Sequence, residues 1–220
     1  MREIFRRELK DLKVVVIGIA RDLVGVTHDA TRALAEGDLE LAEAVIAGDD
    51  AIDAACLGVE EHALEIIATQ FPVARDLRLL HSLAHISMHM ERMGDLGVNI
   101  AKAARRTAGR RGPQTLYNLI KAQGSLVERV LEAMIEALEK NDLDLSHKLQ
   151  ELDEPIDNLF KQFFRELAQL TDEDDIEWAS SMVLASRYLE RIADHAVDIG
   201  ERITYMVTGQ FETTGEEEEA

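Results

Sequence analysis

The chain has 220 residues, with 43 Asp+Glu against 24 Lys+Arg and a formal net charge of -19. Such a charge repels a phosphate backbone and an anionic membrane surface, which argues against nucleic acid as a partner. Hydrophobic residues at 46%, aromatics at 5% and few Gly and Pro fit a helical globular protein, and the single Cys56 excludes a disulfide framework and a cysteine-based zinc site.

No targeting segment is expected at the charged N-terminus, and the apolar run Val14 to Ala20 falls far short of the roughly 20 residues that cross a bilayer. A cytoplasmic protein follows from this reading. From Phe5, apolar residues recur at Leu9, Leu12, Ile19, Leu23, Val26, Ala30 and Ala33, the stripe of one long helix. Gly37 offers its C-terminal cap and Asp38 the N-cap of a second helix running to about Thr69. Pro72 suits the first turn of a third helix, which reaches about Thr107 before the break at Gly109–Pro113. A fourth helix is predicted from about Leu116 to Lys140, a fifth from Asp142 to about Leu170, and a sixth from about Asp172 to Thr208.

An internal repeat organises these six helices. The segment from Ala33 to Leu41, with Gly37-Asp38 at its centre, recurs 104 residues later as Ala137 to Leu145, with Asn141-Asp142. Glu91-Arg92-Met93-Gly94-Asp95 through Asn99-Ile100 recurs as Glu190-Arg191-Ile192-Ala193-Asp194 through Asp198-Ile199, at an offset of 99. The fold expected is all-α, two tandem three-helix bundles spanning 1–109 and 113–209, able to pack end to end. The acidic segment 210–220 is expected to be a disordered tail.

Carboxylates concentrate at helical spacing. Glu91, Asp95 and Asn99 span about 80° of one helix surface, and Glu190, Asp194 and Asp198 repeat that geometry. Asp49/Asp53 and Asp153/Asp157 are i,i+4 pairs on the preceding helix of each unit. Like charges roughly 5–6 Å apart destabilise a helix by a few tenths of a kcal/mol per pair, a penalty that a bound cation reverses. A solvated acidic face is the alternative, and spacing alone does not choose between them. His81, His85 and His89 form an i,i+4 ladder on the third helix, read as a polar face with His81 nearest the acidic stripe.

The strings Glu91-Arg92-Met93-Gly94-Asp95 and Tyr188-Leu189-Glu190-Arg191-Ile192-Ala193-Asp194-His195 resemble the two signature segments of the PhoU family. Pro72 to Arg78 and Tyr205 to Gly209 are similar to that family as well. The resemblance implies a regulator of phosphate uptake and of the phosphate-starvation response, not an enzyme. It further implies a homodimer that bridges the ATP-binding subunit of the phosphate transporter and the membrane sensor histidine kinase, reaching the membrane only through them. It carries divalent or trivalent metal ions (iron, zinc, magnesium or another) onto Asp49, Asp53, Glu91, Asp95 and Asn99, and onto Asp153, Asp157, Glu190, Asp194 and Asp198.

Two departures bear on those sites. Asn99 brings an amide in place of a carboxylate, so the second-half set, with five carboxylates against four, is expected to fill first. Pro155 lies between Asp153 and Asp157, where the fifth helix either bends or begins. Two other classes are a metal-free helical adaptor and a ferritin-like di-iron protein. The latter needs Glu-x-x-His on two helices, and no histidine here has Glu three residues before it.

Overall fold

A computed structural model of the chain describes residues 2–110, 112–169 and 176–210. The repeat is visible first in its turns. Gly37 and Asn141 both take left-handed backbone, at φ 72° and 53°. The following amides of Asp38 and Asp142 then donate to Ala33 O and Ala137 O, each at 3.0 Å, closing two equivalent helix ends. Each Asp in turn caps the next helix, its side chain accepting from the Leu41 and Leu145 amides at 3.0 Å.

Among the described residues these turns separate six helices and no strand: α1 (Arg2–Glu36), α2 (Leu39–Gln70), α3 (Ala74–Arg106), α4 (Gln114–Lys140), α5 (Leu143–Leu167) and α6 (Ile176–Thr208). Pro72 stays outside α3, because Phe71 turns left-handed at φ 48° and Val73 is extended. Pro155 lies within α5, exposed and without a break in the helix, so the helix does not begin there. The predicted end of the fifth helix, the predicted start of the sixth and the tail from 211 onward lie outside the described residues.

Each set of three helices packs mutually, α1–α3 in the first half and α4–α6 in the second. The halves lie side by side, not end to end. Polar contacts mark the whole length of the α1·α4 seam: Lys13 to Asn141 at 2.9 Å, Arg21 to Glu139 at 3.3 Å, His28 to Glu128 at 3.2 Å and Lys121 to Glu36 at 3.0 Å. These pairs are exposed and worth at most about 1 kcal/mol each. Closeness comes from Gly124, where a Cβ would fall 2.5 Å from Thr31 Cγ2. The α3·α6 seam is the most extensive helix pair of all.

The core is continuous across both seams, with Leu23, Leu34, Ile86 and Met93 meeting Leu131, Met134, Leu189 and Ile192 in one cluster. Each such side chain contributes about 1.5–3 kcal/mol by leaving water. One polar lock sits inside: buried Gln123 on α4 donates to Ser186 O at 3.1 Å and accepts from Ser186 Oγ at 2.7 Å. No helix among the described residues is long and apolar enough to cross a membrane.

Candidate metal centre

Helices α2 and α3 run antiparallel, so the ends of their acidic pairs meet in reverse order. Asp49 stands against Gly94, whose missing Cβ would come 3.7 Å from Asp49 Oδ1. Burial, then Asp53 and Asp95, push the Asp49 carboxyl above its usual range, and Lys102 pulls against them. At the other end, Asp53 and Glu91 both act on Cys56, whose thiol burial and these carboxylates push up to about 12. That thiol is inert at neutral pH. Asn99 lies half-buried one turn beyond Asp95.

The second half builds the same arrangement with different neighbours. Burial, then Asp157 and Asp194, push the Asp153 carboxyl up to about 6. The Asp194 carboxyl is raised too, by burial against the opposing pull of Arg187. Glu190 departs from the pattern. Only 8% exposed, it is bound by the Arg187 guanidinium, which also lies 5.8 Å from the Phe160 ring centre. Asp198 departs further, since its Oδ2 faces His89 and His195 at 3.5 and 3.6 Å.

Whether these residues suit a cation can be judged from their unmet demands. Asp49 Oδ1, Asp53 Oδ1 and Asp153 Oδ1 are buried and have no hydrogen-bond partner. A buried acceptor left unsatisfied costs about 1–3 kcal/mol, and more when charged. A cation held by oxygen ligands would meet that demand and lower the raised carboxyl pKa values together. Asp49 and Asp53 therefore carry a demand in the first half that a cation would meet, with Asp95 acting on Asp49. Asp153, on which Asp157 and Asp194 act, carries the same demand in the second, where Glu190 pairs with Arg187 and Asp198 faces the histidines. Glu190 and Asp198 thus have competing partners that the count of five carboxylates against four leaves out.

The histidine ladder is not a simple polar face. Its ring centres lie 6.2 Å apart from His81 to His85 and 5.3 Å from His85 to His89. His89, not His81, makes the tertiary contact, meeting His195 of α6 with Nδ1 atoms 3.1 Å apart. Burial holds the His89 imidazole down to about 4, so it is neutral at physiological pH. Contact with the His195 ring lowers the Asp198 carboxyl below its ordinary value, outweighing burial, and His89 adds to the effect. Local spacing pairs His195 with Asp198, but only the α3·α6 packing brings His89 to them. In the last turn of α3 and just beyond it, Arg105 pairs with Glu43 at 3.1 Å and Arg110 with Glu177.

A doubled acidic motif on a doubled three-helix unit matches one known domain. The PhoU domain aligns with this chain twice, over residues 16–104 and 120–203. The chain belongs to the PhoU family. Relatives include the phosphate-specific transport system accessory protein PhoU homolog 1 of Methanothermobacter thermautotrophicus, 30% identical over 209 residues, covering 94% of this chain and 95% of the relative. The PhoU homolog of Caulobacter vibrioides is 35% identical over 195 residues, 88% of this chain and 84% of its own. Among solved structures, PhoU from Pseudomonas aeruginosa superposes with a TM-score of 0.88 at 29% identity, covering 94% of this chain and all of that one. The phosphate transport system regulatory protein PhoU from Streptococcus pneumoniae gives 0.88 at 27%, covering 95% and 99%.

Proposed function

We propose that this PhoU-family chain is a cytoplasmic, non-enzymatic regulator of phosphate uptake and of the phosphate-starvation response. It acts by binding the ATP-binding subunit of the phosphate transporter and the sensor histidine kinase, and it works as a homodimer. The observation that carries this reading is the twofold PhoU match, together with relatives of near-equal length that bear the description of phosphate-specific transport accessory proteins. A binding role also suits the exposed apolar residues Leu57, Leu64 and Phe71, the last 80% exposed, which recur every seventh residue along and just beyond α2.

Metal belongs to the same proposal. Asp49, Asp53, Glu91 and Asp95 would hold a di- or trivalent cation such as iron, zinc or magnesium, with Asn99 at the edge. Asp153, Asp157 and Asp194 would hold another, and Glu190 would join once released from Arg187. Bound metal supplies charge neutralisation that fixes α2 to α3 and α5 to α6. The unpartnered oxygens of Asp49, Asp53 and Asp153 support that assignment. The pairing of Arg187 with Glu190 favours a metal-free adaptor in the second half alone. Elemental analysis of protein purified without chelator separates the two. For the partner claim, the tagged chain recovered from phosphate-replete cells should carry the transporter ATP-binding subunit, and recovery without it would count against the reading.

A further inference from the structure

The contact of His89, His195 and Asp198 takes its carboxylate from the second acidic motif and joins α3 of the first half to α6 of the second. Among the described residues it is the one group in which three potential ligand atoms lie within 4.8 Å of one another. The separations are 3.1 Å between the two Nδ1 atoms, and 3.5 and 3.6 Å from each to Asp198 Oδ2. Hydrogen bonding accounts for one side of this triangle, between the two Nδ1 atoms, and not for the other two. A carboxylate only accepts, each neutral imidazole has one donor nitrogen, and the two carboxylate separations exceed hydrogen-bond length. A tetrahedral ion with ligands at about 2.0–2.2 Å sets its ligand atoms about 3.3–3.6 Å apart, and the observed edges lie at or near that span.

We propose that His89, His195 and Asp198 form a mononuclear site for a borderline divalent cation of the zinc class, with a fourth position open to water. The donor set separates this site from the acidic ones. Imidazole suits zinc, iron, nickel and copper, whereas oxygen-only sites suit harder ions. The side chain of Asp198 is half exposed, which gives an ion a way in. His85 stands beside His89, and its buried Nδ1 has no hydrogen-bond partner. Arg202 opposes a cation here, but its guanidinium lies over the Tyr205 ring at 5.6 Å, and Asp198 offsets it.

A metal bound by α3 and α6 together would clamp one repeat to the other. Because it binds only the assembled interface, it raises stability in proportion to the logarithm of its concentration. This site shares Asp198 with the second acidic motif and does not rest on the phosphate role.

The test is titration of the metal-stripped full chain with cobalt(II), whose visible absorption reports four-coordinate nitrogen and oxygen ligation, followed by displacement with zinc. One equivalent should give the band. His89→Gln and His195→Gln should each weaken binding by more than about 100-fold, beyond the ~10–100-fold that losing a supporting partner costs. The double variant Asp95→Asn/Asp153→Asn should keep the same equivalent within about twofold, because its changes lie outside the triangle. Histidine variants that stay helical and bind cobalt like the parent would overturn the site, as would a band lost only from the acidic variant. Should either histidine variant fold poorly, the zinc-dependent rise in melting temperature decides. It should appear in the parent and vanish in the better-folded histidine variant, and persistence there would refute the site.

Discussion

Replacing Asp153 with Asn should stabilise the metal-free protein, and only at neutral or alkaline pH. Asp153 is half-buried, its Oδ1 lacks a partner, and its carboxyl pKa rises from 3.8 to about 6. A raised carboxyl pKa means the folded state holds its proton more tightly than the unfolded chain. The resulting stability is complete below about pH 4 and is lost as pH rises through about 6. Two units correspond to about 3 kcal/mol at full effect, and solvent screening of a half-exposed group reduces this to about 1–2 kcal/mol. Asp153→Asn removes that loss, so urea unfolding of stripped protein should show a gain of about 1–2 kcal/mol near pH 8 and almost none near pH 4. Added metal should reverse the order, since the parent keeps a ligand that the variant lacks. An equal gain at both pH values, or a loss near pH 8, would refute the reasoning.

Three further outcomes follow from the packing and charge. Gln123→Ala removes both bonds to Ser186 and leaves its hydroxyl buried, and should cost about 2–4 kcal/mol in chemical unfolding. Gly200→Ala should lower the melting temperature despite alanine's better helix propensity, because the new Cβ would meet Leu149 Cδ1 at 2.7 Å and the Ser146 carbonyl at 3.0 Å. Overpacking of this kind costs about 1–3 kcal/mol. Arg187→Met frees Glu190 as a ligand and removes a positive charge, and should raise the affinity of the second-half set by about tenfold in calorimetric metal titration. Unchanged affinity would place the metal elsewhere.

Much of the fold is legible in local chemistry. The repeat of Gly37-Asp38 as Asn141-Asp142 announces two equivalent helix turns, since each pair supplies a residue tolerant of positive φ and a capping carboxylate. Apolar periodicity locates six helices because each buries one stripe. Side-by-side packing of the halves is not legible, since α1·α4 and α3·α6 depend on interlocking far along the chain, as at Gly124 and Thr31. The same limit governs the site. Spacing of i,i+4 groups Asp49 with Asp53, Asp153 with Asp157 and Asp194 with Asp198, but it does not show what else Asp198 faces. Asp198 turns to His195 on its own helix and to His89 across the interface. Arg187, three residues before Glu190, is visible in the sequence as a competitor, and Phe160 shows why it stays in place.

The most direct test of the regulatory role is expression of phosphate-starvation genes in phosphate-rich medium after the gene for this chain is deleted. Expression should rise to the level of starved cells and return to the repressed level when the intact chain is restored. Repression that persists in the deletion strain, with no second PhoU-family gene present, would contradict the role.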